Sequence, residues 1–251
     1  MGAMKDYVLS FIYPALLLLL EIVATKLSPT YGDLIACIIF IVVVIVLLVL
    51  KKVPKEEITS ELSPSTLFLT LSLGFAYVGG LSLFFQGLSI TPSRIVLAFQ
   101  EPYITVIEGT TPGYLITLLL LFPIACEFAF RYLSQHYFRN TLSNYFPIIA
   151  TALMYGVFCF ARDSWIGLLY GVLTGTILGL VAEIYVSIWP AITLHIGMAF
   201  GILMGWVYLV LDSIPSMVLG GIMILVAGFL LFHILMDEEE KDPSDEPMDL
   251  E

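Results

Sequence analysis

Charged side chains are scarce in this sequence, since only 12% of the residues are Asp, Glu, Lys or Arg. A water-soluble domain carries about twice that fraction, so the chain has too little charge to cover the surface of a soluble globule. This shortage excludes a soluble enzyme, a disordered chain and a nucleic-acid-binding protein. Hydrophobic residues make up 59% of the 251 residues, and the mean hydropathy is +1.00. The composition predicts a helical membrane protein whose first partner is the lipid bilayer.

Cysteine is rare as well, and its three positions lie in apolar runs: Cys37, Cys126 and Cys159. An odd number of cysteines in apolar sequence does not indicate a disulfide framework, so the redox compartment stays open. The alternation of apolar and polar residues that marks membrane-barrel strands is also missing.

Long apolar runs are what the sequence has instead. About 20 residues of helix cross the hydrocarbon core of a bilayer. The runs therefore predict eight spans, at residues 7–25, 34–50, 66–88, 113–133, 145–161, 165–182, 189–211 and 217–236. The predicted fold is an all-α, polytopic transmembrane helical bundle in one domain, residues 1–236.

The last fifteen residues, 237–251, contain nine acids and one lysine. This segment carries most of the formal net charge of −11, so the membrane part is nearly neutral. A short acidic segment with prolines and few apolar residues is typical of a disordered tail. We expect this tail to extend into the cytoplasm, where a basic protein is its candidate partner.

The basic residues predict the orientation of the chain by the positive-inside rule. With eight spans and a cytoplasmic N-terminus, seven basic residues face the cytoplasm and three face outward. The inward residues are Lys5, Lys51, Lys52, Lys55, Arg131, Arg139 and Lys241, and the outward residues are Lys26, Arg94 and Arg162. We therefore expect both termini in the cytoplasm, and the cell membrane as the location.

Two predicted spans carry glycines at every fourth position. The sixth span contains Gly167, Gly171, Gly175 and Gly179, and the seventh contains Gly197, Gly201 and Gly205. Residues four apart share one face of a helix, and a glycine stripe lets two helix backbones approach closely in lipid. The stripes predict packing between neighbouring helices of one chain, with homodimerisation as the alternative.

Ionisable residues lie inside two predicted spans. Glu127 and Arg131 are one helical turn apart in the fourth span, in the order that favours an ion pair, and His195 lies in the seventh span. Because ionisable side chains are costly in lipid, each is a candidate functional residue. The simpler interpretations are a structural ion pair for Glu127 with Arg131, and a hydrogen-bonded helix contact for His195.

Three short segments resemble the motifs of one family. Residues 126–131 read Cys-Glu-Phe-Ala-Phe-Arg and resemble the motif Glu-Glu-x-x-x-Arg. Residues 155–159 read Tyr-Gly-Val-Phe-Cys and resemble Phe-x-x-x-His, and residues 187–195 place a His after a Trp-Pro helix start. Together they resemble the CAAX-protease and bacteriocin-processing (CPBP, or Abi) family, which includes the Rce1-like glutamate intramembrane endopeptidases.

The resemblance implies an Rce1-like core of four helices, at about residues 113–210, and roles for four positions. In the family, the first Glu and the His of the second motif activate a water. The later His and an Asn or Asp four residues after it stabilise the oxyanion. In this chain those positions are Cys126, Cys159, His195 and Ala199. Only His195 keeps the family residue, while Glu127 and Arg131 keep the second Glu and the Arg.

These departures predict the loss of proteolysis. A thiol with an ordinary pKa of about 8.5 is a poor general base at neutral pH, so Cys126 does not replace a glutamate. Ala199 offers no hydrogen bond to a developing oxyanion. The leading hypothesis is an Rce1-like membrane protein without protease activity or cofactor. It would bind a membrane peptide, a lipidated chain or a partner protein in the inherited cavity.

Several alternatives stay open. One alternative is an active but divergent CAAX-type intramembrane endopeptidase with Glu127 as its base. Another is a structural subunit of a membrane complex. A transporter is less favoured, because no inverted repeat is visible. If the fold is kept, Cys126, Cys159 and His195 converge and are also a candidate zinc ligand set. Two small buried hydrophobic cysteines are the simpler interpretation.

Overall fold

The computed structural model describes residues 2–28, 30–50, 52–53, 58, 63–88, 115–143, 145–162, 165–204 and 213–239. Every regular element within these ranges is helical. The helices are α1 (Gly2–Leu27), α2 (Gly32–Val49), α3 (Pro64–Gly87), α4 (Thr117–Arg139), α5 (Phe146–Arg162), α6 (Trp165–Ile184), α7 (Ile188–Ile202) and α8 (Ser213–Glu239). The prediction of an all-α, multi-span bundle is confirmed.

Six of these helices are long and apolar enough to cross a membrane, namely all except α5 and α7. The two shorter apolar helices cover Phe146–Ala161 and Ile188–Ile202. They lie where the fifth and seventh spans were predicted, but α7 ends nine residues before the expected position 211. Residues 205–212, with Gly205, lie outside the described residues, as does the predicted tail from residue 240.

Helix α4 is the centre of the bundle and contacts α1, α2, α5, α6 and α7. All residues from 129 to 135 are buried, which means that the helix is covered on every side. Its backbone widens into π-helical turns over Thr117–Leu121 and Phe128–Gln135. Pro123, which has no N–H to donate, lies between the two wide segments. The helix continues to Arg139, six residues beyond its predicted end.

Glycines of α7 bring its backbone against α3. A Cβ atom added at Gly197 would meet the Leu71 carbonyl oxygen, and one at Gly201 would lie 2.7 Å from the Gly79 nitrogen. On α3, a Cβ at Gly74 would meet the Leu194 carbonyl oxygen in return. The two backbones are therefore in direct contact at these glycines, and no side chain larger than hydrogen fits at those positions.

The glycines of α6 pack on a different helix, α5. A Cβ at Gly171 would lie 2.8 Å from the Gly156 Cα, and one at Gly175 would lie 3.0 Å from the Ala152 Cα. Gly179 continues this face toward Ile148, at 2.9 Å, and Gly167 is also buried. The two stripes thus bind α6 to α5 and α7 to α3, and they do not face each other.

We predict that Gly197→Ala lowers the thermal stability of the protein in detergent. The added methyl group meets backbone atoms of Leu71 and Phe75, which cannot rotate away, and overpacking of this kind costs about 1–3 kcal/mol. Gly221→Ala on α8 is the matched control, because nothing lies within 4 Å of its added Cβ. The control should melt at or above the wild-type temperature, since alanine favours helix. Equal melting temperatures for both variants would refute the close α3–α7 contact.

Candidate functional site

Four polar or charged side chains meet in the middle of the bundle. Helix α4 contributes Glu127 and Arg131, α5 contributes Tyr155, and α7 contributes His195. We call this group the polar core. These residues are separated by up to 68 positions in the sequence, so the group exists only because α4, α5 and α7 pack together.

The shortest contact in the polar core joins α4 to α7. The His195 Nδ1 lies 2.7 Å from the Glu127 Oε1. An ionised carboxylate only accepts hydrogen bonds, so Nδ1 is the donor in this pair. His195 is held in place by the local sequence. Ser187 caps the start of α7 by accepting a hydrogen bond from the Trp189 N–H, and two helical turns then lead to His195.

Tyr155 holds the other side of the imidazole ring. Its hydroxyl lies 3.3 Å from the His195 Nε2, and its ring meets the imidazole edge to face at a centroid distance of 6.0 Å. Phe130 and Phe158 pack on the same tyrosine ring, at 5.1 and 6.2 Å. Both nitrogens of His195 therefore have protein partners, and aromatic rings surround the pair.

Arg131 completes the polar core with a buried positive charge. Its Nε lies 3.5 Å from the Glu127 Oε2, an ion-pair distance. The guanidinium carbon lies 5.3 Å from the centroid of the Tyr155 ring and 5.9 Å from that of Phe130, within the range of cation–π attraction. Within the described ranges, no protein atom accepts a hydrogen bond from its three nitrogens. Carboxylate and rings together compensate this charge.

The polar core is closed. The side chains of Glu127 and Arg131 are 0% exposed, and that of His195 is 8% exposed. In such surroundings the two charges and the imidazole depend on one another, because removing one member leaves a partner without compensation. Chemically, the arrangement fixes the His195 ring with a carboxylate on one nitrogen and a hydroxyl on the other.

The remaining family-equivalent positions supply no carboxylate or imidazole to the polar core. Cys126 is fully buried in an apolar cluster with Tyr13 and Phe40, and Ala199 is buried on α7. Cys159 is half-buried and packs against Gly171. Across the described residues, no three His, Cys, Asp or Glu side chains come close enough to bind a metal ion. The structure therefore does not assemble Cys126, Cys159 and His195 as a zinc site.

A second ion pair secures the end of α4 to α6. The Arg139 Nη2 lies 2.9 Å from the Glu183 Oε2, and the Gln135 Nε2 donates to the same oxygen at 2.8 Å. Unlike the polar core, this pair reaches the surface, because the side chains of Arg139 and Glu183 are 23% and 41% exposed.

Sequence reasoning found Glu127, Arg131 and His195, but it missed that Glu127 binds His195 and that Tyr155 belongs to the group. A signal for Tyr155 was present. Tyrosine occupies the position at which the resembled motif has phenylalanine, and the hydroxyl is the only polar atom that this change adds. The family resemblance implied that α4 and α7 meet near positions 126 and 195, but nothing in the sequence indicated that Glu127 binds His195, because that depends on how the two helices are rotated.

Comparison with known proteins connects this part of the chain to a family. Residues 109–200 match the family model described as type II CAAX prenyl endopeptidase Rce1-like. The match covers less than half of the chain, but it includes the whole polar core. No curated protein matches the chain, and no solved structure matches it. The resemblance to the CPBP family is thereby confirmed for this segment.

We predict strong energetic coupling between Glu127 and Arg131. Either Glu127→Gln or Arg131→Met alone leaves a buried charge without its partner and should lower the free energy of unfolding by about 3–5 kcal/mol. The double variant should lose clearly less than the sum of the two single losses. Equilibrium unfolding of the protein in mild detergent measures the free energy of unfolding of all three variants.

Glu183→Gln and Arg139→Met form the control cycle for this measurement. Their contact is shorter but partly exposed, so the coupling should be about 1 kcal/mol or less. Additive losses for Glu127 and Arg131 would show that the two charges do not depend on each other.

Proposed function

We propose, from the Rce1-like identity of residues 109–200, that this integral membrane protein is not a protease and acts by binding an apolar membrane ligand. One observation carries the proposal. The two acid–base side chains that remain from the family motifs, Glu127 and His195, bind each other in a core where the side chains of Glu127, Arg131 and His195 are 0–8% exposed. A hydrolase needs one such group in contact with a water and a substrate.

The proposed loss of proteolytic activity follows from the chemistry available at Glu127, His195 and Ala199. Glu127 already accepts from His195 and pairs with Arg131, so its carboxylate is committed to structural contacts. The Nε2 of His195, the other basic atom, lies against the Tyr155 hydroxyl. Ala199 leaves an oxyanion without a donor at its position, and losing one such donor typically costs about 10²–10³ in rate.

An apolar groove between α3 and α7 supports the binding role. It has a volume of about 390 Å³ and is lined by Leu71, Ser72, Phe75, Gly197 and Phe200. Gly197 is two residues from His195, so the groove lies on the opposite face of α7 from the polar core. Its size falls within the range of small-ligand sites. The proposed occupant is the lipid group of a lipidated peptide.

A second candidate function is an active but divergent endopeptidase. The 2.7 Å contact between Glu127 and His195 favours it, because a carboxylate that orients an imidazole is a recurring arrangement in hydrolases. This function requires that the Tyr155 hydroxyl leave Nε2 and that water enter. Burial of the polar core favours the binding role over this one.

We predict binding without cleavage. In liposomes, the protein should photo-crosslink to a farnesylated CAAX peptide that carries a diazirine in its prenyl chain, and the crosslinks should map to α3 and α7. The peptide should keep its last three residues, as mass spectrometry would show. Ser72→Trp should reduce crosslinking by filling the groove, whereas Leu225→Trp, at a 75% exposed position on α8, should not.

Two outcomes would overturn this proposal. Cleavage by the native chain that is lost in both Glu127→Gln and His195→Ala would establish the divergent protease. Neither cleavage nor crosslinking would point instead to a structural subunit. As a positive control for the assay, the combined Cys126→Glu, Cys159→His and Ala199→Asn variant restores the family residues.

A further inference from the structure

A second cavity lies apart from the polar core and from the α3–α7 groove. It is found where α1 and α5 end and α2 begins, and its volume is about 430 Å³. Among the described residues, its polar lining consists of Glu21, Thr25, Lys26 and Asp33. No residue of the three family-like motifs belongs to it.

The cavity is lined by charges of both signs. Among the described lining residues, Glu21 and Asp33 carry carboxylates and Lys26 carries an ammonium group, so two acids face one base. Glu21 is only 4% exposed even though it lies on a span of mean hydropathy 2.1. A buried carboxylate at such a position is costly and is retained in membrane proteins mainly where it serves a function.

The depth of the cavity is fixed by the helices around it. Met4–Leu27 and Gly32–Val49 are both candidate spans, and the cavity lies where the first ends and the second begins. The ends of spans lie at the level of the lipid headgroups. A Cβ at Gly32 would meet Thr25 Cα, and the Thr25 hydroxyl donates to the Asp33 Oδ1 at 3.3 Å. These contacts hold the Asp33 carboxylate beside α1.

The rest of the lining is apolar. Leu18, Ile22 and Ala161 border the cavity, and Ile22 is 46% exposed on the outer surface of α1. In a bilayer that surface meets lipid. The cavity therefore has a polar part at headgroup level and an apolar border that opens toward acyl chains.

We infer that this cavity binds the headgroup of a phosphatidylethanolamine-type lipid. Its primary ammonium group has three N–H donors for the carboxylates of Glu21 and Asp33, and Lys26 pairs with the phosphate. A choline headgroup carries no N–H donor, and a glycerol headgroup carries no positive charge. The N–H donors thus distinguish ethanolamine from choline, and the positive charge distinguishes it from glycerol.

Native mass spectrometry of the delipidated, full-length protein tests this inference with three lipids of equal acyl chains. Phosphatidylethanolamine should bind more tightly than phosphatidylcholine or phosphatidylglycerol. Glu21→Gln should weaken ethanolamine-lipid binding about tenfold or more, as expected for one lost hydrogen bond to a charged group. Asp6→Asn, which makes the same charge change at the other end of α1, is the control and should bind as wild type.

If Glu21→Gln does not fold, Asp33→Asn at a half-buried position is the second variant, and it should also weaken binding of the ethanolamine lipid. Unchanged binding in the folded variants, or equal affinity for the three lipids, would overturn the inference. Soluble phosphoethanolamine should displace bound phosphatidylethanolamine only weakly. Displacement as strong as that by added phosphatidylethanolamine would also overturn the inference, because the site would then recognise a free amine. These outcomes do not depend on whether the protein cleaves or binds lipidated peptides.

Discussion

The hydrogen bond between Glu127 and His195 is the contact on which the centre of this protein depends. A carboxylate, a guanidinium and an imidazole lie almost without exposure among side chains that are mostly apolar. Lipid and aliphatic side chains offer them no compensation, so they depend on one another and, for the guanidinium, on the neighbouring aromatic rings. That requirement fixes the rotation of α4 and α7, because only one rotation of each helix brings Oε1 to 2.7 Å from Nδ1.

The two faces of α7 serve different purposes because of this constraint. One face carries His195 toward α4, and the opposite face carries Gly197 and Gly201 against the backbone of α3. Close backbone contact on one side and a buried hydrogen bond on the other hold the short helix in place. A helix of 15 residues is thereby fixed by packing rather than by its own span of the bilayer.

The positions of the helices could be predicted from the sequence, since each apolar run ends at a polar or charged segment. The glycine stripes also indicated close packing, although not which helices would meet. The polar core could not be derived in the same way. Its members are far apart in the sequence, and the π-helical turns around Arg131 change the side-chain directions that a regular α-helix would give. The extension of α4 to Arg139 was missed because Gln135 and Arg139 look like a polar boundary until Glu183 of α6 is seen to bind both.

The central claim is that the polar core is sealed, and the reactivity of its histidine tests it most directly. The chain has only three histidines, so diethylpyrocarbonate modification of the native protein in liposomes, followed by peptide mass spectrometry, reports each one separately. His136, which is partly exposed near the end of α4, is the internal reference. We predict that His136 is modified while His195 stays unmodified until the protein unfolds. Modification of His195 in the folded protein at a rate close to that of His136 would show that water and small molecules reach the core, and would contradict this account.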